Sequence, residues 1–120
     1  MLTWPSGTKV FACTRPTDMR RGFDSLAQQV RDFLGCDPLC GHLFLFRSRR
    51  GDRVKILYWD RDGLALWYKR LEQGTFRLPA APAEHPDRLE LTADELGLIL
   101  QGIDPTTVPR SRRYQRPAAS

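Results

Sequence analysis

The 120-residue sequence contains no apolar run approaching the roughly 20 residues that cross a bilayer. Its opening, Met1-Leu2-Thr3-Trp4-Pro5-Ser6, has no charged head and no apolar stretch behind it, so it does not read as a secretory leader. The expected compartment is the cytoplasm, with no membrane involved. Cysteine is scarce and odd in number: Cys13, Cys36 and Cys40 do not make a disulfide framework. Walker-type and dinucleotide glycine fingerprints are missing. His42 and His85 have no serine or cysteine partner at a diagnostic spacing, which leaves nucleophilic catalysis without its parts. There is no internal repeat.

What the chain does have is positive charge. Nineteen Lys and Arg against 14 Asp and Glu leave a formal net charge of +5, most of the positive charge being arginine. Such a balance favours polyanionic partners, nucleic acid first and acidic protein second. Arginine-rich composition also follows from GC-rich coding, so charge by itself does not decide. The length suits one domain with one modest core, and an apolar share of 41% argues against global disorder.

Periodicity gives the elements. Residues 8–14 read as a strand that Pro16 ends, with Thr17 or Asp18 capping the helix that follows. Met19, Phe23, Leu26, Val30 and Phe33 form its apolar stripe, Gln28, Gln29, Arg31 and Asp32 its solvated side, and Gly35 its stop. Residues 42–48, 53–60, 64–71 and 75–78 are strand-like, and turn signals fill the short gaps between them. A proline-punctuated loop over 79–87 precedes a short strand, Arg88 to Leu91. A second helix follows, with Thr92 and Glu95 as a capping box and Leu96, Ile99, Leu100 and Ile103 at helical spacing. The expected fold is α+β: an antiparallel meander of about five or six strands with two amphipathic helices packed on one face. Residues 1–7 form an N-terminal segment, 8–104 a single domain and 105–120 a basic tail containing Arg110, Arg112, Arg113 and Arg116.

Two three-residue loops, Arg50-Gly51-Asp52 and Arg61-Asp62-Gly63, would set Phe46 opposite Ile56 and Ile56 opposite Tyr68, with Gly63 left-handed. Phe44, Phe46, Val54, Ile56, Tyr58, Leu66 and Tyr68 then make the core face. The other face carries Leu43, Leu45, Leu57, Trp59 and Trp67 at one end. At its other end Arg47, Lys55 and Lys69 align across three strands, with Arg49 opposite Arg53. Clustered like charges cost free energy that a phosphate backbone would offset. The expected nucleic-acid contacts are therefore Arg47, Arg49, Arg50, Arg53, Lys55 and Lys69, and the expected partner-binding residues are Trp59 and Trp67. The bland alternative is a covered tryptophan end and a solvated hairpin tip that blunts aggregation.

Two further chemistries have weaker support in the sequence. Cys36, Cys40 and His42 with Cys13 lack a paired zinc knuckle, so incidental thiols are favoured. Asp52, Asp60, Asp62 and Glu72 would suit a metal-dependent nuclease, but turn chemistry explains the same residues. His42 at a strand start is read as a hydrogen-bonding residue and His85 as solvated. No metal, cofactor or catalytic residue is expected.

Pro16-Thr17-Asp18-Met19-Arg20, Gly22-Phe23-Asp24, Gly41-His42-Leu43-Phe44 and Phe46-Arg47 belong to a wider pattern. It runs on through Gly51-Asp52-Arg53-Val54-Lys55-Ile56-Leu57-Tyr58-Trp59-Asp60, Gly63-Leu64, Tyr68-Lys69-Arg70-Leu71-Glu72 and Gly102-Ile103-Asp104. Together, over about residues 8–105, these resemble the small TnpB accessory proteins of the insertion-sequence sixty-six family of bacterial mobile elements. The resemblance implies a protein encoded beside a separate DDE-type transposase and assisting transposition without performing strand transfer. The RNA-guided nuclease that shares the name TnpB is a far longer, different protein. The sequence is compatible with a DNA-binding accessory factor acting on element ends, with a module docking on the transposase, and, remotely, with a metal-dependent nuclease.

Overall fold

The computed structural model describes residues 6–107. Five strands form one sheet: β1 (Val10–Cys13), β2 (Leu43–Arg47), β3 (Arg53–Asp60), β4 (Gly63–Arg70) and β5 (Arg88–Leu91). Their spatial order is β4-β3-β2-β1-β5. Three neighbouring pairs are antiparallel, but β1 and β2 run parallel, with Val10 beside Leu43 and Cys13 beside Phe46. The sheet is mixed, and the expected pure meander is corrected. Parallel neighbours need a crossover connection, and the helical segment between β1 and β2 supplies it. Residues 75–78 form no strand. Phe76 is instead buried against the sheet, held by its N–H donating to Gly51 O at 2.7 Å.

Helix α1 (Phe23–Gln29) begins later than its apolar stripe suggests. Gly22 stands at its N-cap in place of either expected cap: the Thr17 N–H donates to Arg47 O at 2.9 Å, and Asp18 closes a turn of its own by accepting the Arg20 N–H at 2.9 Å. The helix then widens into a π-helical segment, Val30–Leu34, which Gly35 ends at φ 63°. Gly35 is the expected stop. Gln29 departs from its expected solvated side: it is buried, and its Nε2 donates to Thr17 Oγ1 at 3.4 Å. Helix α2 (Ala93–Leu100) carries the expected capping box. Thr92 Oγ1 accepts the Glu95 N–H at 3.1 Å, and Glu95 Oε1 accepts the Thr92 N–H at 2.9 Å. A 3₁₀ turn, Pro105–Thr107, closes the described chain. The arginines of the expected tail, Arg110 to Arg116, lie outside the described residues.

The sheet is buried on both sides. Val10, Ala12, Leu43, Leu45, Val54 and Ile56 cluster with Leu96 and Ile99 of α2 and with Phe76. Phe11, Cys13, Phe44, Phe46 and Leu57 cluster with Leu26, Ala27, Val30 and Leu34 of α1 and its π segment. These sets alternate along the same strands, and alternate residues of a strand face opposite ways. The two helices therefore serve opposite faces, not one.

The same alternation exposes the register. Both hairpins are displaced by one residue from the expected pairing: Phe46 faces Lys55, Arg47 faces Val54, Ile56 faces Trp67 and Lys55 faces Tyr68. Phe46 and Ile56 lie on opposite faces. The cause is loop length. Ser48 and Arg53 close the first hairpin, the Ser48 N–H donating to Arg53 O at 2.9 Å, so its loop has the four residues 49–52. Asp60 pairs with Gly63 in the second, leaving a two-residue loop in which Arg61, not Gly63, takes the left-handed conformation at φ 54°. A slip of one residue reverses every side chain.

Candidate nucleic-acid interface

The slip dismantles the expected basic ladder. Arg47 and Lys69 fall on the α2 face and Lys55 on the α1 face. Each is occupied by the protein's own backbone. Lys55 is 8% exposed; its Nζ donates to Arg21 O at 2.8 Å and stands 4.9 Å from the centre of the Tyr68 ring. Lys69 Nζ donates to Leu100 O at 2.8 Å, a cation on the last carbonyls of α2, where the helix dipole favours it. Arg47 is half-buried, and one of its Nη atoms donates to Phe76 O at 3.0 Å. Burial pushes its guanidinium pKa down. Lys55 and Lys69 are thus internal anchors, and Arg47 shares its surface with that duty.

Arg49 and Arg50 are placed differently. Both are exposed on the four-residue loop, and among the described residues neither guanidinium is hydrogen-bonded or ion-paired. The loop beneath them is rigidly held. Gly51 is buried at φ 81°, its N–H donates to Ser48 O at 3.0 Å, and Ser48 Oγ accepts the Arg53 N–H at 3.2 Å. On one flank lies a groove of about 440 Å³ lined by Arg47, Arg49, Arg50 and Arg77, with Asp104 as its one carboxylate among the described residues. Asp104 is already satisfied by Thr106, whose N–H and Oγ1 donate at 2.9 and 2.7 Å, and these bonds hold its pKa down. The other flank brings Arg49, Arg50 and Arg53 beside Asp18 and Asp52. There the Arg20 guanidinium, bonded to Asp18 at 2.7 Å, holds the Asp18 carboxyl at a pKa of about 2.

Arg53 does meet a like charge, but it is Arg70 across the β3–β4 pair, not Arg49. It donates to the Tyr68 hydroxyl at 3.3 Å, which raises its pKa, while Arg70 reaches Glu72 at 3.3 Å. Arg77 was not among the expected contacts because its segment read as a strand. Its signal was present in the sequence only as one more arginine after a glycine turn.

The family model described as IS66 Orf2 like protein matches residues 8–110. The chain belongs to that family. The resemblance carried by the motifs is borne out, and membership places the IS66 Orf2-like chain among accessory proteins of insertion-sequence transposition. It is similar to uncharacterized protein y4jC of Sinorhizobium fredii (strain NBRC 101917 / NGR234), 38% identical over 104 residues covering 87% of this chain and 86% of the relative. Uncharacterized protein y4hO of the same strain is 40% identical over 102 residues, 83% of this chain and 86% of the relative. No solved structure matches.

The other candidate residues of the IS66 Orf2-like chain are scattered. Trp59 pairs with Leu64 on the α1 face, whereas Trp67 pairs with Ile56 and packs with the α2 cluster, so the two do not form one patch. Cys13 is buried in β1, which raises its thiol pKa, Cys36 is half-buried and donates to Leu34 O, and Cys40 is exposed. His42 has the expected bonding role: its Nδ1 accepts the Lys9 N–H at 3.0 Å. Among the described residues no three His, Cys, Asp or Glu side chains converge as metal ligands, and no helix is long and apolar enough to cross a membrane.

Proposed function

We propose that this protein is a non-catalytic, cytoplasmic accessory factor that binds DNA at the ends of its parent element through the β2–β3 hairpin tip. Arg49 and Arg50 contact phosphates, with Arg53 on one flank and Arg47 and Arg77 on the other. The observation that carries this reading is the pair of exposed guanidinium groups on a pinned four-residue loop, beside a groove where four arginines meet one satisfied carboxylate. Such a surface replaces counterions on a phosphate backbone without first breaking internal ion pairs. Lys55 and Lys69 leave the list of contacts, because their ammonium groups already bind backbone carbonyls. Strand transfer belongs, in this reading, to the separate transposase.

The test is binding to the terminal inverted repeats of the parent element across a salt series. Arg49→Ala with Arg50→Ala lowers the slope of log affinity against log salt by about 2, since each neutralised phosphate contributes about 0.9. Binding that is absent, or unchanged by the double substitution, rejects the proposal.

A further inference from the structure

Strand β4 is one of the two outer strands of the sheet, β5 being the other, and among the described residues it has a neighbour on one side only. It is eight residues long, and no residue of it is buried. Outer strands in soluble proteins carry devices that discourage pairing, such as proline, a bulge or a short length. Gly63-Leu64-Ala65-Leu66-Trp67-Tyr68-Lys69-Arg70 has none of these, and its register with β3 is unbroken over all eight pairs. One of the usual devices, an edge lysine, is disarmed: Lys69 is tied down to Leu100 O.

The direction of its free backbone groups follows from one hydrogen bond. The Leu71 N–H donates inward to Asp52 O at 2.8 Å, continuing the β3–β4 ladder. In an antiparallel pair the inward-bonding residues alternate, so Ala65, Trp67 and Lys69 bond to β3 along with Leu71. The N–H and C=O groups of Leu64, Leu66, Tyr68 and Arg70 therefore point outward. The side chains of these four residues lie together on the α1 face, where Tyr68 is 47% exposed. Phe23, at the start of α1, is exposed to the same extent.

We propose that this edge pairs with a second copy of the same chain, β4 against β4 in antiparallel sense, with Leu66 on the two-fold axis. Outward groups must meet outward groups, so even-numbered residues face even-numbered residues. Centring on Leu66 uses the whole strand. It sets Tyr68 opposite Leu64 of the second copy, an aromatic–aliphatic pair on one face. It also sets Arg70 beside Asp62 of the second copy, at the β3–β4 turn. Arg70 and Asp62 are both exposed, and among the described residues the solvent-exposed Glu72 is the one acidic partner of Arg70. The two-fold axis repeats that opposite-charge contact, so this register is favoured by charge as well as by backbone pairing. The two five-stranded sheets become continuous.

Sedimentation of the full chain together with amide hydrogen exchange tests this. The expected result is a dimer whose formation, as concentration rises, protects the amides of Leu64, Leu66, Tyr68 and Arg70. Those of Ala65, Trp67 and Lys69 stay protected at every concentration. Arg70→Asp weakens the dimer on the order of tenfold by making two symmetry-related contacts repulsive, and adding Asp62→Arg restores it. A chain that stays monomeric at high concentration, a dimer indifferent to Arg70→Asp, or concentration-independent protection of the four outward amides overturns the pairing.

Discussion

At the scale of single residues, the most informative side chains are the cations that face inward. Lys55, Lys69, Arg47 and Arg88 each donate to a backbone carbonyl, of Arg21, Leu100, Phe76 and Leu34 respectively. They fasten the segment before α1, the end of α2, the loop after β4 and the end of the π segment to the sheet. Lys55→Ala and Lys69→Ala are each expected to lower unfolding free energy by about 1–2 kcal/mol in urea titrations, because a carbonyl loses a charged donor. Neither changes the salt slope of DNA binding. Arg49→Ala does the reverse. A sequence lists the cations but not their partners, which is why Lys55 and Lys69 looked like phosphate contacts. The tip arginines were legible because a glycine turn between strands leaves little else for a neighbouring arginine to do than face solvent.

At the scale of elements, strands β1, β2, β3, β4 and β5 and helix α2 were readable, and the capping box at Thr92 and Glu95 was legible in detail. Register was not. Matching apolar residues across strands fixes a register only when one face is polar, and here Phe44, Leu45, Phe46, Ile56 and Leu57 are all buried. A continuous apolar run carries no face information, and the loops then decide. Gly51→Ala tests that decision. Gly51 has φ 81°, and a methyl group there would stand 3.3 Å from Thr75 Cβ, so a loss of about 1–2 kcal/mol is expected. Gly63, which a three-residue loop would have required to be left-handed, has no such constraint and open space around it. Gly63→Ala should stay within about 0.5 kcal/mol of the parent in the same denaturant series.

At the scale of the whole molecule, the surprise lies in how the ends of the chain enter the sheet. The α+β class was legible from strand and helix periodicities, but the parallel contact of β1 with β2 was not. Local patterns say where a strand is, never which distant strand lies beside it. Val10 pairs with Leu43 on one side and Leu91 on the other, so β1 is held by segments far along the sequence. A chain shortened to end at Asp87 lacks β5 and α2, and with them Leu89, Leu91, Leu96 and Ile99 from the core. Such a chain is expected to show no cooperative unfolding transition by circular dichroism.

The position of β1 also has a consequence in time. Val10 to Cys13 are made before the other four strands, and β5, which covers their second edge, is the last strand of the sheet to be made. The β2–β3–β4 meander, joined by short loops, can close while synthesis continues, since local contacts form fastest. Throughout that interval the four apolar residues of β1 have at best one partner strand. A nascent chain that stops before residue 88 therefore lacks the strand that covers the second edge of β1.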